Sequence, residues 1–134
     1  MTQTIRKIKI RAESHRLFKP FTISRGQKNT ADVVVVEIND GVRTGQGECV
    51  PYARYGETLE SVTAEIETIK PMLEGRSNKL KHPFTRDDLQ TAMHPGAARN
   101  AIDCALWDLE GQQSGLTVPH RLGLQPRPLP SAVT

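Results

Sequence analysis

Tyr52, Arg54 and Tyr55 stand within four residues of one another, with Glu48 and Glu57 on either side. Gly45, Gly47, Pro51 and Gly56 punctuate the same stretch, so its polar chemistry sits on irregular backbone, where binding residues concentrate. Tyrosine offers an apolar ring with a polar tip, and arginine a planar fork of donors suited to carboxylates. Two readings stay open. The three side chains pin the loop onto the protein's own helices, or they line a ligand pocket or an interface. Arg25, in a second glycine-bearing loop after Phe21, poses the same choice as a carboxylate binder. Glu48 and Glu57 could work as acid and base only in a shared cleft with separated pKa values. Glu57 precedes a candidate N-cap, Thr58, and equally suits a helix-dipole role.

Little else in the chain offers chemistry. No G-x-S-x-G and no serine, cysteine or histidine constellation has recognisable local context. Gly45-Gln46-Gly47 lacks a third glycine, since position 50 is valine, and leads into a proline loop, not a helix N-terminus. Tight packing or a turn accounts better for these glycines. Cys49 and Cys104 are far apart and read as free, largely buried thiols; two cysteines make neither a disulfide framework nor a four-ligand zinc site. His15, His82, His94 and His120 show no ligand spacing, so no metal or cofactor site is expected in this chain.

The net charge is +3, with basic clusters at Arg6, Lys7, Lys9, Arg11 and at Arg76, Lys79, Lys81. Aromatics form only 4% of the chain, too few for a base-stacking platform, and the first cluster alternates with Ile8 and Ile10 as the solvated face of a strand does. Nucleic acid is therefore not an expected partner. No apolar run approaches the roughly 20 residues of a membrane span, and the N-terminus lacks the apolar core of a signal peptide. The expected location is cytoplasmic.

At 134 residues the chain suits one domain. Residues 4–13 read as a strand with Ile8 and Ile10 on one face, and 19–30 as a polar loop. Val33 to Val36 with Ile38 form a β-branched run for a strand buried on both faces. Asn39-Asp40-Gly41 signals a turn, and residues 42–50 the partner strand. The period then changes. Leu59, Val62, Ile66, Ile69 and Leu73 mark one helix face behind Thr58, with Pro71 loosening its end and Gly75 stopping it. Thr85 to Asp88 match a capping box that opens a short helix to about Met93. Ala98, Ala101, Ile102, Ala105, Leu106 and Leu109 give a third helix, from about Ala97 to Gly115, with Trp107 off its main stripe. Pro119, Pro126, Pro128 and Pro130 mark an irregular connector. Strands followed by helices make the class α+β.

Four stretches together resemble the N-terminal capping domain of dipeptide epimerases in the enolase superfamily, muconate-lactonizing subgroup. They are Pro20 to Gly26, Val33 to Glu37, Gly45 to Thr58, and Pro95 to Leu109. The pattern G-x-G-E-x-x-P-Y-x-R-Y-G-E-T is similar to the L-Ala-D/L-Glu type in particular. The resemblance implies a three-stranded antiparallel sheet followed by a helical bundle, with residues 1–117 as cap and 118–134 as connector and start of a first barrel strand. It implies that the cap closes the mouth of a (β/α)-barrel, its own barrel domain being the first partner and a dipeptide the second. Arg25, Tyr52, Arg54 and Tyr55 then become candidates for dipeptide contacts, and Thr134 resembles a threonine near the substrate. The family's catalytic lysines and its Asp and Glu magnesium ligands would lie beyond Thr134. Magnesium is thus expected in the full-length enzyme, and the chain alone is expected to be inactive. A related muconate cycloisomerase or N-acylamino-acid racemase cap is the alternative within the superfamily. A stand-alone module that forms a homo-oligomer through its barrel-facing surface is the alternative outside it.

Overall fold

The structure, a computed structural model, describes residues 5–24 and 26–132. Three antiparallel strands in the order β1-β2-β3 form one sheet: β1 (Lys7–Ile23), β2 (Gly26–Asn39) and β3 (Thr44–Cys49). Helices α1 (Leu59–Leu73), α2 (Arg86–Ala92), α3 (Ala97–Ser114) and α4 (Val118–Arg121) follow. This is the α+β arrangement that the change of period announces.

The core lies between one sheet face and the helices. Val34, Val36 and Ile38 of β2 meet Val62 and Ile66 of α1 and Ala101, Ile102, Ala105 and Leu109 of α3, all buried. Val33 and Val35 point to the opposite face and are buried as well. Their cross-strand partners on β1 are Glu13 and Arg11, and the Arg11 guanidinium reaches Glu37 at 3.0 Å. Long charged side chains roof this second face with their stems while keeping their heads in water.

Gly45 and Gly47 set the distance between β3 and α3. A Cβ on Gly47 would lie 2.1 Å from the Ala101 carbonyl oxygen, and one on Gly45 would lie 2.2 Å from that of Ala105. Only a residue without a side chain lets the strand ride this close to a helix. The alanines of α3 complete the contact. Around it, α3 side chains satisfy backbone groups of β3, an edge strand. The Gln46 N–H donates to Asp108 Oδ2 at 2.8 Å, and Gln112 Nε2 donates to the Thr44 carbonyl at 2.7 Å.

Caps fix the helix starts. Thr58 Oγ1 accepts from the Ser61 N–H at 3.0 Å while Ser61 Oγ accepts from the Thr58 N–H at 2.9 Å, and Thr85 with Asp88 repeats the device on α2. Pro71 falls in the last turn of α1 and does not end it before Leu73. At the far hairpin, Asp40 accepts from the Val42 and Arg43 N–H groups and from Gln113 Nε2, tying the turn to the end of α3.

Three local expectations change. Residues 19–30 are not a loop: β1 and β2 continue as a hairpin arm to the pair Ile23 and Gly26. The arm is largely exposed on both faces, so neither alternation nor burial marks it, and backbone pairing joins its two strands. An irregularity between Arg16 and Phe21 contains Pro20, which an edge strand tolerates because its missing N–H is not needed. The connector begins with a helical turn, α4, in which Thr117 is the cap and Pro119 sits among the first N–H groups, where no donor is required. Cys49 is buried as expected, but Cys104 is exposed on α3.

Candidate functional site

The polypeptide leaves β3 at Cys49, whose thiol burial pushes up to about 11, away from nucleophile chemistry. Residues 53–55 then make a single 3₁₀ turn closed by Gly56, at φ 73° with nothing within 4 Å of its Cβ position. Gly56 is there for its backbone, whereas Gly45 and Gly47 are there for space. The turn is tight: the Tyr55 and Glu57 N–H groups both donate to the Tyr52 carbonyl, at 2.9 and 3.3 Å. It brings the two tyrosine rings into an edge-to-face pair, 5.3 Å between centroids. Tyr55 remains 76% exposed, so this pair is not core.

Both rings face a cleft of about 1090 Å³ between the loop, the middle of α1 and the segment joining α2 to α3. Val50, Ile69, Met93 and Pro95 give it an apolar lining, and Glu65, His94 and Asn100 add polar edges. Glu57 forms part of its wall. One carboxylate oxygen accepts the Tyr52 N–H at 3.1 Å and the other the Ala97 N–H at 2.8 Å. The helix-dipole role foreseen for Glu57 is thus exerted on α3, forty residues away, not on the helix that follows it.

Among the sequence candidates, the structure unites Tyr52 and Tyr55. Arg54 is exposed on the same turn and does not line the cleft. Arg25 and Thr134 lie outside the described residues. Glu48 is exposed on β3 and makes no pair with Glu57. The contribution of α1 and of residues 92–97 to the cleft had no marker in the chain beyond the Pro95-Gly96 break. Beside the hairpin arm, a second hollow of about 640 Å³ is lined by Phe18, Phe21 and Val50, all exposed.

Trp107, off the main stripe of α3, is covered by two arginines of the same chain. The Arg86 guanidinium stacks 3.6 Å from its ring centroid and Arg121 lies 5.7 Å away, with Glu110 paired to Arg86. Among the described residues no group of three histidine, cysteine, aspartate or glutamate side chains is arranged to hold a metal ion, and no helix is long and apolar enough to cross a membrane.

The family model for the mandelate racemase / muconate lactonizing enzyme N-terminal domain matches residues 5–123. The chain belongs to this family. As such a domain it is 42% identical over 120 residues to the L-Ala-D/L-Glu epimerase of Escherichia coli K12, covering 90% of this chain and 35% of that protein. Its fold superposes with a TM-score of 0.80, at 48% identity, on an enolase family member from Agrobacterium tumefaciens with homology to dipeptide epimerases, solved with sodium, L-Ala-L-Glu and an ordered loop; 90% of this chain and 35% of that one are covered. A dipeptide epimerase from Methylococcus capsulatus, solved with Mg and L-Arg-D-Lys, matches at 28% identity and a TM-score of 0.71 over 90% of this chain and 35% of its own. The N-terminal domain in hand therefore spans about a third of the length of these relatives.

Proposed function

We propose that this N-terminal domain is the capping and substrate-selecting part of a dipeptide epimerase of the L-Ala-D/L-Glu type. The observation that carries the reading is the pair of half-buried Tyr52 and exposed Tyr55 at the rim of the cleft, in a chain 42% identical to such an epimerase. The rings offer an apolar wall and two hydroxyls to a small polar dipeptide. Arg54, exposed on the same turn, and Arg25, a candidate by residue type, would receive the carboxylates of the glutamyl residue. Thr134 would stand near the substrate where residues 118–134 lead into a barrel. The reaction, epimerisation by proton abstraction next to a carboxylate, needs a base and a group that stabilises the enolate. Among the described residues no group of three histidine, cysteine, aspartate or glutamate side chains could hold a metal ion, and magnesium would be held by barrel residues.

The test is exchange of the α-proton of L-Ala-L-Glu in D₂O, followed by NMR with magnesium present. The purified chain alone is expected to give no exchange. Supplementing it with the separately expressed barrel of the Escherichia coli relative is expected to restore exchange, with KM raised when Tyr52 and Tyr55 are both replaced by alanine. Exchange by the chain alone would overturn the assignment of the chemistry to a partner domain.

A further inference from the structure

We infer that Glu57 is a positioning residue that sets the orientation of the Tyr52–Tyr55 pair by clamping their loop to the N-terminus of α3. This deepens the proposed function and rests on it for its consequence, but the clamp itself is a property of the chain. Three observations converge. The Glu57 carboxylate spans two otherwise separate backbone donors, the N–H of Tyr52 at 3.1 Å and that of Ala97 at 2.8 Å. The Glu57 N–H closes the loop on itself by donating to the Tyr52 carbonyl. The carboxylate also packs closely on position 96, where a Cβ would lie 3.2 Å from Glu57 Oε2 and require it to shift by a few tenths of an ångström. The φ of 164° at Gly96 is extended backbone that any residue adopts.

The chemistry explains why a carboxylate serves. Ala97 is the first residue of α3, and Gly96, at the N-cap position, has no side chain to satisfy the free N–H groups there. A charged acceptor at the positive end of the helix makes a stronger bond than a neutral one. The same group holds the Tyr52 N–H, and the Tyr55 N–H returns to the Tyr52 carbonyl. The peptide groups flanking Tyr52 are therefore fixed relative to α3, and α3 is fixed to the sheet through Gly45 and Gly47. Through this side chain the rim of the cleft is tied to the core.

Because the chain has only two tyrosines, ring-labelled tyrosine reports on this pair without overlap. In wild-type chain an inter-ring nuclear Overhauser effect is expected from the 5.3 Å edge-to-face contact. In E57A that effect should be lost, and the Tyr52 and Ala97 amides should exchange with solvent about tenfold faster or more, reflecting loss of their acceptor. E57Q keeps one acceptor oxygen, so one of the two amides should stay protected and the ring contact should be partly restored. D40A, at the opposite end of the sheet, controls for destabilisation: it should lower Tm and leave the ring signature unchanged. A purely structural cap would lower Tm in E57A while the tyrosine signature persisted, and that result overturns the inference; if E57A does not fold, full protection of both amides in E57Q overturns it. Failure of the dipeptide reading is distinguishable, since it would show as an unchanged KM on replacing the tyrosines while the clamp's signature stayed intact.

Discussion

Replacing Gly47 with alanine should separate β3 from α3 and is the most direct test of how this fold is held. The added Cβ would lie 2.1 Å from the Ala101 carbonyl oxygen and 2.7 Å from the Ala105 nitrogen. Ordinary contact begins near 3.4 Å, so α3 would have to retreat by about 1.3 Å. Both obstructing atoms belong to helix backbone and cannot rotate away. The retreat would loosen the contacts of Ala101, Ile102, Ala105 and Leu109 with the sheet, all of them buried. Overpacking of this kind costs about 1–3 kcal/mol, and the upper end applies where nothing flexible can yield. At roughly 4 °C per kcal/mol for a domain of this size, G47A should lose about 12 °C in Tm by far-UV circular dichroism. G45A should behave alike, its Cβ meeting the Ala105 carbonyl at 2.2 Å. The double variant should cost less than the sum, because both substitutions displace the same helix. G56A is the contrast. Its Cβ would meet nothing within 4 Å, and only the left-handed backbone at φ 73° opposes it, at about 1–2 kcal/mol. Adding A101G to G47A should not rescue, because the obstructing carbonyl remains. The reasoning is refuted if G47A melts within about 1 °C of wild type, or if G56A proves the more damaging change.

The other expectations can be checked on the same protein. Asp40 is held at about 2, below its ordinary 3.8, chiefly by Gln113 and then by the Arg43 and Val42 N–H groups; its contribution to stability is therefore complete above the ordinary value and lost as pH falls through about 2. D40N should show a flatter Tm profile than wild type between about pH 4 and pH 2, and parallel profiles would contradict the assignment. R86A removes the guanidinium stacked on Trp107 and its pairing with Glu110, for a loss of about 1–2 kcal/mol in urea unfolding and a changed emission from the single tryptophan. A thiol reagent should titrate one cysteine, Cys104, in the native chain and a second, Cys49, only in denaturant, since Cys49 is buried at the end of β3; two fast thiols would mean that β3 frays.

The helices of this domain were legible in the chain because their signals are local. Thr58 and Thr85 cap at short range, Gly115 adopts the left-handed conformation that ends α3, and the 3.6-residue period of α1 and α3 is the pattern of burial itself. The same holds for β2, whose valines are buried on both faces, and for the turn around Asp40. The hairpin arm from Arg16 to Gln27 escaped such reading because it has no buried face to impose a period.

The candidate site divides along the same line. Sequence alone determined that tyrosines and arginine gather on a glycine- and proline-punctuated loop, and that Gly45 and Gly47 suit close packing better than phosphate binding. Only the tertiary structure decided that Tyr52 and Tyr55 share a cleft while Arg54 stands apart from it, because a single 3₁₀ turn chooses which of its side chains face the helices. It also decided that Glu57 serves Ala97, and that α1 and residues 92–97 form the opposite walls. These are contacts between segments up to forty residues apart. A hydrogen bond or a cleft wall depends on where the backbone returns in space, and no local pattern in the chain encodes that distance.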